Sequence, residues 1–121
     1  MEFKGNLSIF QQIANSIRDD IMIGVYRSGD KLPSVREMAT QIGVNPNTVM
    51  RSYAYLQDLA LLTNKRGIGF FVSEHAADHI KQELRKEFLE LELPLIIDKL
   101  NKLEIDKNLL IQRINDLTDA L

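Results

Sequence analysis

The chain contains no cysteine and no tryptophan, and only two of its 121 residues are histidine. The absence of cysteine excludes disulfide bonds, thiolate chemistry and cysteine-based zinc sites. Long hydrophobic runs are also missing, since no apolar stretch approaches the ~20 residues that a membrane-spanning helix needs. The opening Met-Glu-Phe-Lys lacks the apolar core of a signal peptide, and we therefore expect a cytoplasmic protein that does not bind membranes.

Signatures of catalysis are scarce as well. The sequence has no glycine-rich phosphate loop and no Ser/His/Asp arrangement, so we expect neither an enzyme nor a cofactor. His75 and His79 stand four residues apart, a spacing that suits a metal ion, but no third ligand is evident near them. We interpret them as surface histidines and predict no metal site.

The charge of the chain is unevenly distributed. The formal net charge is −2, but residues 1–73 carry +2 and residues 74–121 carry −4. A cationic surface attracts polyanions, so the N-terminal part is the better candidate for binding nucleic acid.

Three helices are predicted in the N-terminal part. The first, over residues 7–23, is indicated by isoleucines that recur every four positions and form one apolar stripe. They are Ile9, Ile13, Ile17 and Ile21. Ser34 followed by Glu37 forms a capping box that begins the second helix. Asn45 caps the third helix, and Pro46 occupies its first position.

The second and third helices are joined by a turn of about four residues with Gly43 at its corner, which predicts a helix-turn-helix, although a plain helical hairpin has the same spacing. Strand candidates over residues 61–64 and 70–72 follow, separated by Lys65-Arg66-Gly67-Ile68-Gly69. Two adjacent cations and two glycines at a hairpin tip indicate a basic wing. The predicted fold is mostly α with a small β-hairpin, a winged helix-turn-helix domain over residues 1–73.

Residues 74–121 are predicted to form a two-helix dimerisation tail. Pro94 breaks or kinks its first helix. Beyond the proline, residues spaced alternately by three and four positions predict a coiled-coil seam and a homodimer. They are Leu100, Leu103, Lys107, Leu110, Ile114, Leu117 and Leu121, with Lys107 as the one polar member.

Four ordered stretches over residues 9–73 resemble a known family. They are Ile9-Phe10-Gln11-Gln12-Ile13, Gly29-Asp30-Lys31-Leu32-Pro33-Ser34-Val35-Arg36-Glu37, Gly43-Val44-Asn45-Pro46-Asn47-Thr48-Val49 and Arg66-Gly67-Ile68-Gly69-Phe70-Phe71-Val72. These stretches resemble the DNA-binding domain of the GntR family of bacterial transcription regulators, and the short tail resembles its YtrA-type subgroup. The resemblance implies that Arg36 binds DNA and that the protein regulates a transporter operon, often together with its own gene. For Arg36 the alternative is a surface ion pair with Glu37 or Asp30.

Candidate DNA-binding residues lie at the start of the third helix, because N-terminal residues of a recognition helix reach base edges in the major groove. Asn45, Asn47 and Thr48 are placed there, although Asn45 could serve only as a cap and Thr48 only in packing. Family members carry arginine in the slot of Met50, whereas here it is Arg51, rotated by ~100° on a helix. Arg51 therefore meets a phosphate, a base or a neighbouring carboxylate.

Other candidates surround the helix. Ser34 at the start of the second helix can share in phosphate binding, because free N–H groups at a helix N-terminus attract anions. Lys65 and Arg66 are expected to reach DNA from the wing, with Gly67 and Gly69 allowing close approach; the alternative is a solvated turn.

These observations predict a homodimeric transcription regulator, a repressor that binds a two-fold DNA operator. A DNA-architectural or protein-interaction module with the same fold is the alternative. Residues 74–121 are too few to enclose a pocket of ~300 Å³ alone, so any small-molecule effector would bind between subunits or against the DNA-binding domain.

Overall fold

A computed structural model of the chain describes residues 7–119. Its contacts divide the chain into two compact units between Gln82 and Glu83. The sequence predicts this division after residue 73. The first unit extends further because Ala76 and Ile80, only 0% and 1% exposed, join its hydrophobic core.

The first unit has the element order of a winged helix-turn-helix. Its elements are α1 (Ile9–Met22), α2 (Val35–Ile42), α3 (Pro46–Asp58), β1 (Leu62–Lys65), β2 (Gly69–Val72) and the first part of α4 (Ala76–Glu87). The predicted fold class is confirmed, with helix bounds within about two residues of those expected. Between α2 and α3, Gly43 adopts a left-handed φ of 71°, which glycine tolerates without strain.

The core of this unit forms where α1 packs across α3. Ile13 and Ile17 of the predicted apolar stripe are buried, as are Val49 and Leu56 of α3. Apolar burial of this kind provides the main favourable free energy of folding. The core therefore fixes α3 against the rest of the domain and leaves its outer face in solvent.

The wing is an antiparallel hairpin in which Leu62 pairs with Val72 and Lys65 pairs with Gly69. Lys65 and Gly69 are thus the last paired residues of the two strands. The sequence predicts both in the connecting loop, but that loop is shorter in the structure and comprises residues 66–68.

The second unit is helical. Helix α4 continues into a π-helical turn (Phe88–Glu92), then α5 (Leu93–Lys102), and a separate helix α6 (Lys107–Asp119) follows. The π turn lies where Pro94 lacks the amide that would donate to the carbonyl four residues earlier. The helical path therefore continues past the proline with a widened turn. Within residues 7–119, no helix is long and apolar enough to cross a membrane.

The residues of the predicted coiled-coil seam do not lie on one helix, because the chain turns between Lys102 and Lys107. Glu104 has a left-handed φ of 53°, and the Ile105 amide donates to the Leu100 carbonyl at 3.0 Å, which closes α5. The Asp106 side chain then accepts a hydrogen bond from the Asn108 amide at 2.9 Å and caps α6.

The residues of the predicted seam are consequently split between two elements. Leu100 lies on α5 and Leu103 is its C-terminal cap, while Leu110, Ile114 and Leu117 lie on α6 with Lys107 at its start. Leu121 lies outside the described residues. Leu103, Ile114 and Leu117 are 59%, 49% and 68% exposed, so α5 and α6 present apolar side chains to solvent.

Candidate nucleic-acid interface

The start of α2 is held by the predicted capping box. The Ser34 hydroxyl accepts a hydrogen bond from the Glu37 amide, and the Ser34 amide donates to Glu37 Oε1, both at 3.1 Å. The hydrogen bond from the Ser34 amide to the Glu37 carboxylate, with smaller contributions from the Ser34 hydroxyl and from Lys31, holds the pKa of Glu37 below its usual value. Ser34 therefore acts as a cap, and the box fixes the direction in which α2 leaves the loop.

Arg36 lies on the exposed side of this first turn. Among the described residues it forms no ion pair. The two carboxylates considered from the sequence are engaged elsewhere, since Glu37 bonds Ser34 and Asp30 accepts a hydrogen bond from the Arg27 amide at 2.8 Å. The Arg36 guanidinium is thus not neutralised by either of them.

The start of α3 places polar side chains at an open groove. Asn45 Oδ1 accepts a hydrogen bond from the Asn47 amide at 2.8 Å, so the side chain of Asn45 is a helix cap, one of the two roles considered. Asn47 is exposed, and with Thr48 and Arg51 it lines a groove of about 370 Å³ whose other wall is residues 8–10. Polar side chains able to hydrogen-bond are therefore present on the solvent side of α3.

Arg51 has a contact that the sequence did not reveal. Its guanidinium carbon lies 4.0 Å from the centroid of the Phe10 ring of α1, a cation–π contact. Phe10 is also anchored to α3 through its carbonyl, which accepts a hydrogen bond from the Ser52 hydroxyl at 2.9 Å. Arg51 forms no ion pair with a carboxylate among the described residues, while the neighbouring Met50 is 42% exposed.

The wing carries its cations at the end of the hairpin. Lys65 Nζ lies 4.3 Å from the centroid of the Phe71 ring, and the exposed Arg66 follows in the turn. Gly67 has a φ of +79°, and the Ile68 amide closes the turn on the Lys65 carbonyl at 2.9 Å. Neither cation forms an ion pair within residues 7–119.

Tyr53 of α3 contacts both the segment before α2 and the wing. Its side chain is 0% exposed, its hydroxyl donates to the Pro33 carbonyl at 2.7 Å, and its ring packs edge-on against Phe70 at 5.1 Å. Burial, aided by nearby Tyr26 and Glu37, raises the pKa of Tyr53. The apolar spacing of α3 indicates that Tyr53 is buried, but it gives no information about the hydroxyl's partner.

Of the two histidines, His75 lies next to carboxylates of its own segment. His75 has a φ of 63° and lies 3.5 Å from Glu74 and 3.9 Å from Asp78. In the described part of the chain, no group of three or more potential ligands could hold a metal ion.

The sequence is similar over its whole length to characterised and uncharacterised regulators. It is 35% identical over 121 residues to the uncharacterised HTH-type transcriptional regulator YhcF of Bacillus subtilis, covering 98% of this chain and 97% of that protein. It is 34% identical over 103 residues to the HTH-type transcriptional repressor YtrA of B. subtilis, covering 85% and 73% respectively.

Solved structures share the architecture. A GntR family transcriptional regulator from Listeria monocytogenes superposes with a TM-score of 0.75 at 33% identity, covering 94% of this chain and 98% of that one. The DNA-binding domain of AraR, in complex with operator ORX1, superposes with a TM-score of 0.53 at 28% identity over 60% of this chain and 93% of that one.

The family model for bacterial regulatory proteins of the gntR family matches residues 9–72, which is the span that contains α1, the helix-turn-helix and the wing. With a match over half of the chain and relatives of similar length that are transcription regulators, this chain belongs to the GntR family of DNA-binding transcription regulators.

Proposed function

We propose that this regulator is a homodimeric repressor that acts in the cytoplasm and binds a two-fold operator through α3, the start of α2 and the wing. The observation that carries the proposal is the set of cations on these elements. Arg36, Lys65 and Arg66 are exposed and form no ion pair among the described residues. Phosphates are the partners that such unneutralised cations attract most strongly.

Within this proposal, Asn47 reads sequence. Its amide can pair with two atoms of an adenine edge in the major groove, whereas Asn45 uses its oxygen to cap the helix. Thr48 and Arg51 line the same groove, and Arg51 and Ser34 contribute to binding the phosphates beside it. The AraR domain bound to its operator supports this role for the shared fold.

The test begins with selection of genomic DNA fragments bound by the protein, which identifies the operator and the regulated genes. Asn47→Ala should then weaken operator binding by about 1–3 kcal/mol and relax preference at one base pair of each half-site. Binding to a random-sequence duplex of equal length should change far less, and Asn101→Ala on α5 is the matched control. Equal loss on both duplexes would contradict base reading, and equal affinity of the wild type for both would favour an architectural protein.

The dimer is proposed to form through α5 and α6, whose apolar side chains face solvent in a single copy. Those at least 40% exposed include Leu95, Ile96, Ile97, Leu103, Leu109, Ile111, Ile114 and Leu117. Monomeric proteins rarely expose apolar patches beyond a few hundred Å², so a second copy is the natural occupant. Because the chain turns between α5 and α6, the interface combines two helices rather than one heptad seam.

Sedimentation tests the dimer directly. Ile114→Asp should yield monomers and sharply reduce operator affinity, because a two-fold operator needs both half-sites occupied. Gln112→Asp introduces the same charge at an exposed polar position of α6 and should leave the dimer intact. A dimeric Ile114→Asp variant would place the interface elsewhere.

The resemblance to YtrA-type regulators also extends the proposal to a transporter operon and to the regulator's own gene. The same fragment selection decides this, because the bound fragments would lie upstream of those genes. Addition of candidate effectors to the operator complex would show whether a small molecule releases the protein.

A further inference from the structure

Lys31 lies beside the wing, although it precedes the hairpin by about 30 residues in the sequence. The Leu32 amide donates to the Phe70 carbonyl and the Gly29 amide donates to the Val72 carbonyl, both at 2.9 Å. Lys31 itself forms an antiparallel bridge with Phe71. Residues 29–32 therefore run beside β2 and are joined to it by an isolated bridge and backbone hydrogen bonds.

The side chain of Lys31 lies on the outer face of this small sheet. Leu32 is only 2% exposed and Phe70 packs against the core, so their neighbours Lys31 and Phe71 project to the opposite face. Phe71 is also the residue whose ring Lys65 Nζ covers at 4.3 Å. Lys31 and Lys65 thus share one face of the sheet, on either side of β2.

The space beside Gly69 is occupied by the Lys31 side chain. A Cβ added at Gly69 would lie 2.9 Å from Lys31 Cε and 3.8 Å from Lys31 Nζ. The side chain therefore runs from Phe71 toward the end of the hairpin and occupies the space that glycine leaves open. Gly69 is the cross-strand partner of Lys65. The ammonium of Lys31 is consequently level with Lys65 and close in the chain to Arg66.

Three cations gathered at one hairpin end repel one another, which disfavours the arrangement unless an anion is bound. Among the described residues, none of the three forms an ion pair with a carboxylate, and Glu37 attracts Lys31 only from a longer distance. We propose that Lys31 is a third phosphate-binding residue of the wing, positioned by its passage over Gly69. This inference rests on the proposed contact between the wing and DNA.

The test measures how affinity depends on salt. One phosphate contact contributes about 0.9 to the slope of log affinity against log salt concentration, or about 1.8 in a dimer. Lys31→Met keeps an unbranched side chain as far as Cε and removes the charged ammonium, and it should reduce the slope by that amount on the operator and on a random duplex alike. Between 50 and 200 mM salt, the wild type should then lose about 12-fold more affinity than the variant.

Two further variants secure the interpretation. Lys31→Arg should restore the slope, and Lys81→Met, an exposed lysine of α4, should leave it unchanged. If Lys31→Met keeps the wild-type slope while Lys65→Ala/Arg66→Ala lowers it, Lys31 does not bind phosphate although the wing does. If all these variants keep the slope, the wing contact itself is refuted. If Lys31→Met lowers the salt slope on the operator but not on the random duplex, Lys31 reads sequence. That result would also overturn a phosphate role.

Discussion

Removal of the Tyr53 hydroxyl should destabilise the DNA-binding domain while its packing is kept. Phenylalanine preserves the ring that packs on Phe70 at 5.1 Å but loses the 2.7 Å hydrogen bond to the Pro33 carbonyl. A net hydrogen bond contributes about 1 kcal/mol, and a carbonyl left without its partner costs somewhat more. Tyr53→Phe should therefore lower the free energy of unfolding by about 1–2 kcal/mol at pH 7 and the Tm by about 5–10 °C.

The same variant should respond differently to alkaline pH. Burial raises the pKa of Tyr53 in the folded state above its ordinary value of 10.0, so the folded protein keeps the proton that the unfolded chain releases. The stability due to Tyr53 is thus fully present below pH 10 and is lost as the pH rises above it. At pH 11 the wild type should have lost about 1.4 kcal/mol through this residue, and the variant none of it. The difference in free energy of unfolding between the wild type and Tyr53→Phe should therefore be smaller at pH 11 than at pH 7.

Urea unfolding at pH 7, 9 and 11 measures both effects. Tyr55→Phe is the control, because Tyr55 lies on the same helix and its hydroxyl forms no hydrogen bond within residues 7–119. Equal stability of the two variants at pH 7 would refute the contribution of the Pro33 hydrogen bond. A gap between wild type and Tyr53→Phe that stays constant up to pH 11 would refute the raised pKa.

Three further predictions concern the helix caps and the wing. Glu37→Gln should flatten the acid dependence of stability, because the lowered pKa of Glu37 contributes stability above about pH 4.5 that is lost as the pH falls; titrated thermal unfolding measures this. Asn45→Ala should cost about 1 kcal/mol of stability by removing the cap, and it should weaken specific and random DNA binding equally, unlike Asn47→Ala. Lys65→Ala/Arg66→Ala should reduce the salt slope by about 3.6 in a dimer, measured by fluorescence anisotropy, and an unchanged slope would make the wing an ordinary solvated turn.

Features of the site that arise within a few residues were predictable from the sequence. The capping box of Ser34 and Glu37, the cap at Asn45 and the turn at Gly43 each depend on short-range geometry that residue types reveal. The hairpin after α3 was predicted for the same reason, although its loop is shorter than expected. Contacts between distant residues were not predictable, because spacing does not identify a partner. The Phe10 ring under Arg51 is one such contact.

In the tail, the apolar residues were expected to form one seam, whereas the structure divides them between the helices α5 and α6. Apolar residues spaced by three and four positions continue across the turn, but the pattern is equally compatible with two helices that share an apolar side. The end of α5 near Glu104 could not be predicted from the sequence, because Glu104 has a left-handed φ. Glycine or asparagine usually occupies such a position. Asp106 was the available signal, since aspartate is a preferred helix cap.

A net charge of −2 is compatible with DNA binding because pairing, not the number of charges, sets the local field. In the tail, Lys102 lies 2.8 Å from Asp98, one turn away on α5, and that carboxylate offsets its charge. On the first unit, Arg36 and Lys65 meet no carboxylate among the described residues, and Lys31 extends over a glycine toward the same hairpin end. A cation that is not offset at close range attracts phosphate, whereas an offset one contributes little beyond the Debye length of about 10 Å at 0.1 M salt. The proposed DNA-binding surface therefore rests on unpaired cations that gather on α2 and the wing, and acidic residues elsewhere in the chain are compatible with it.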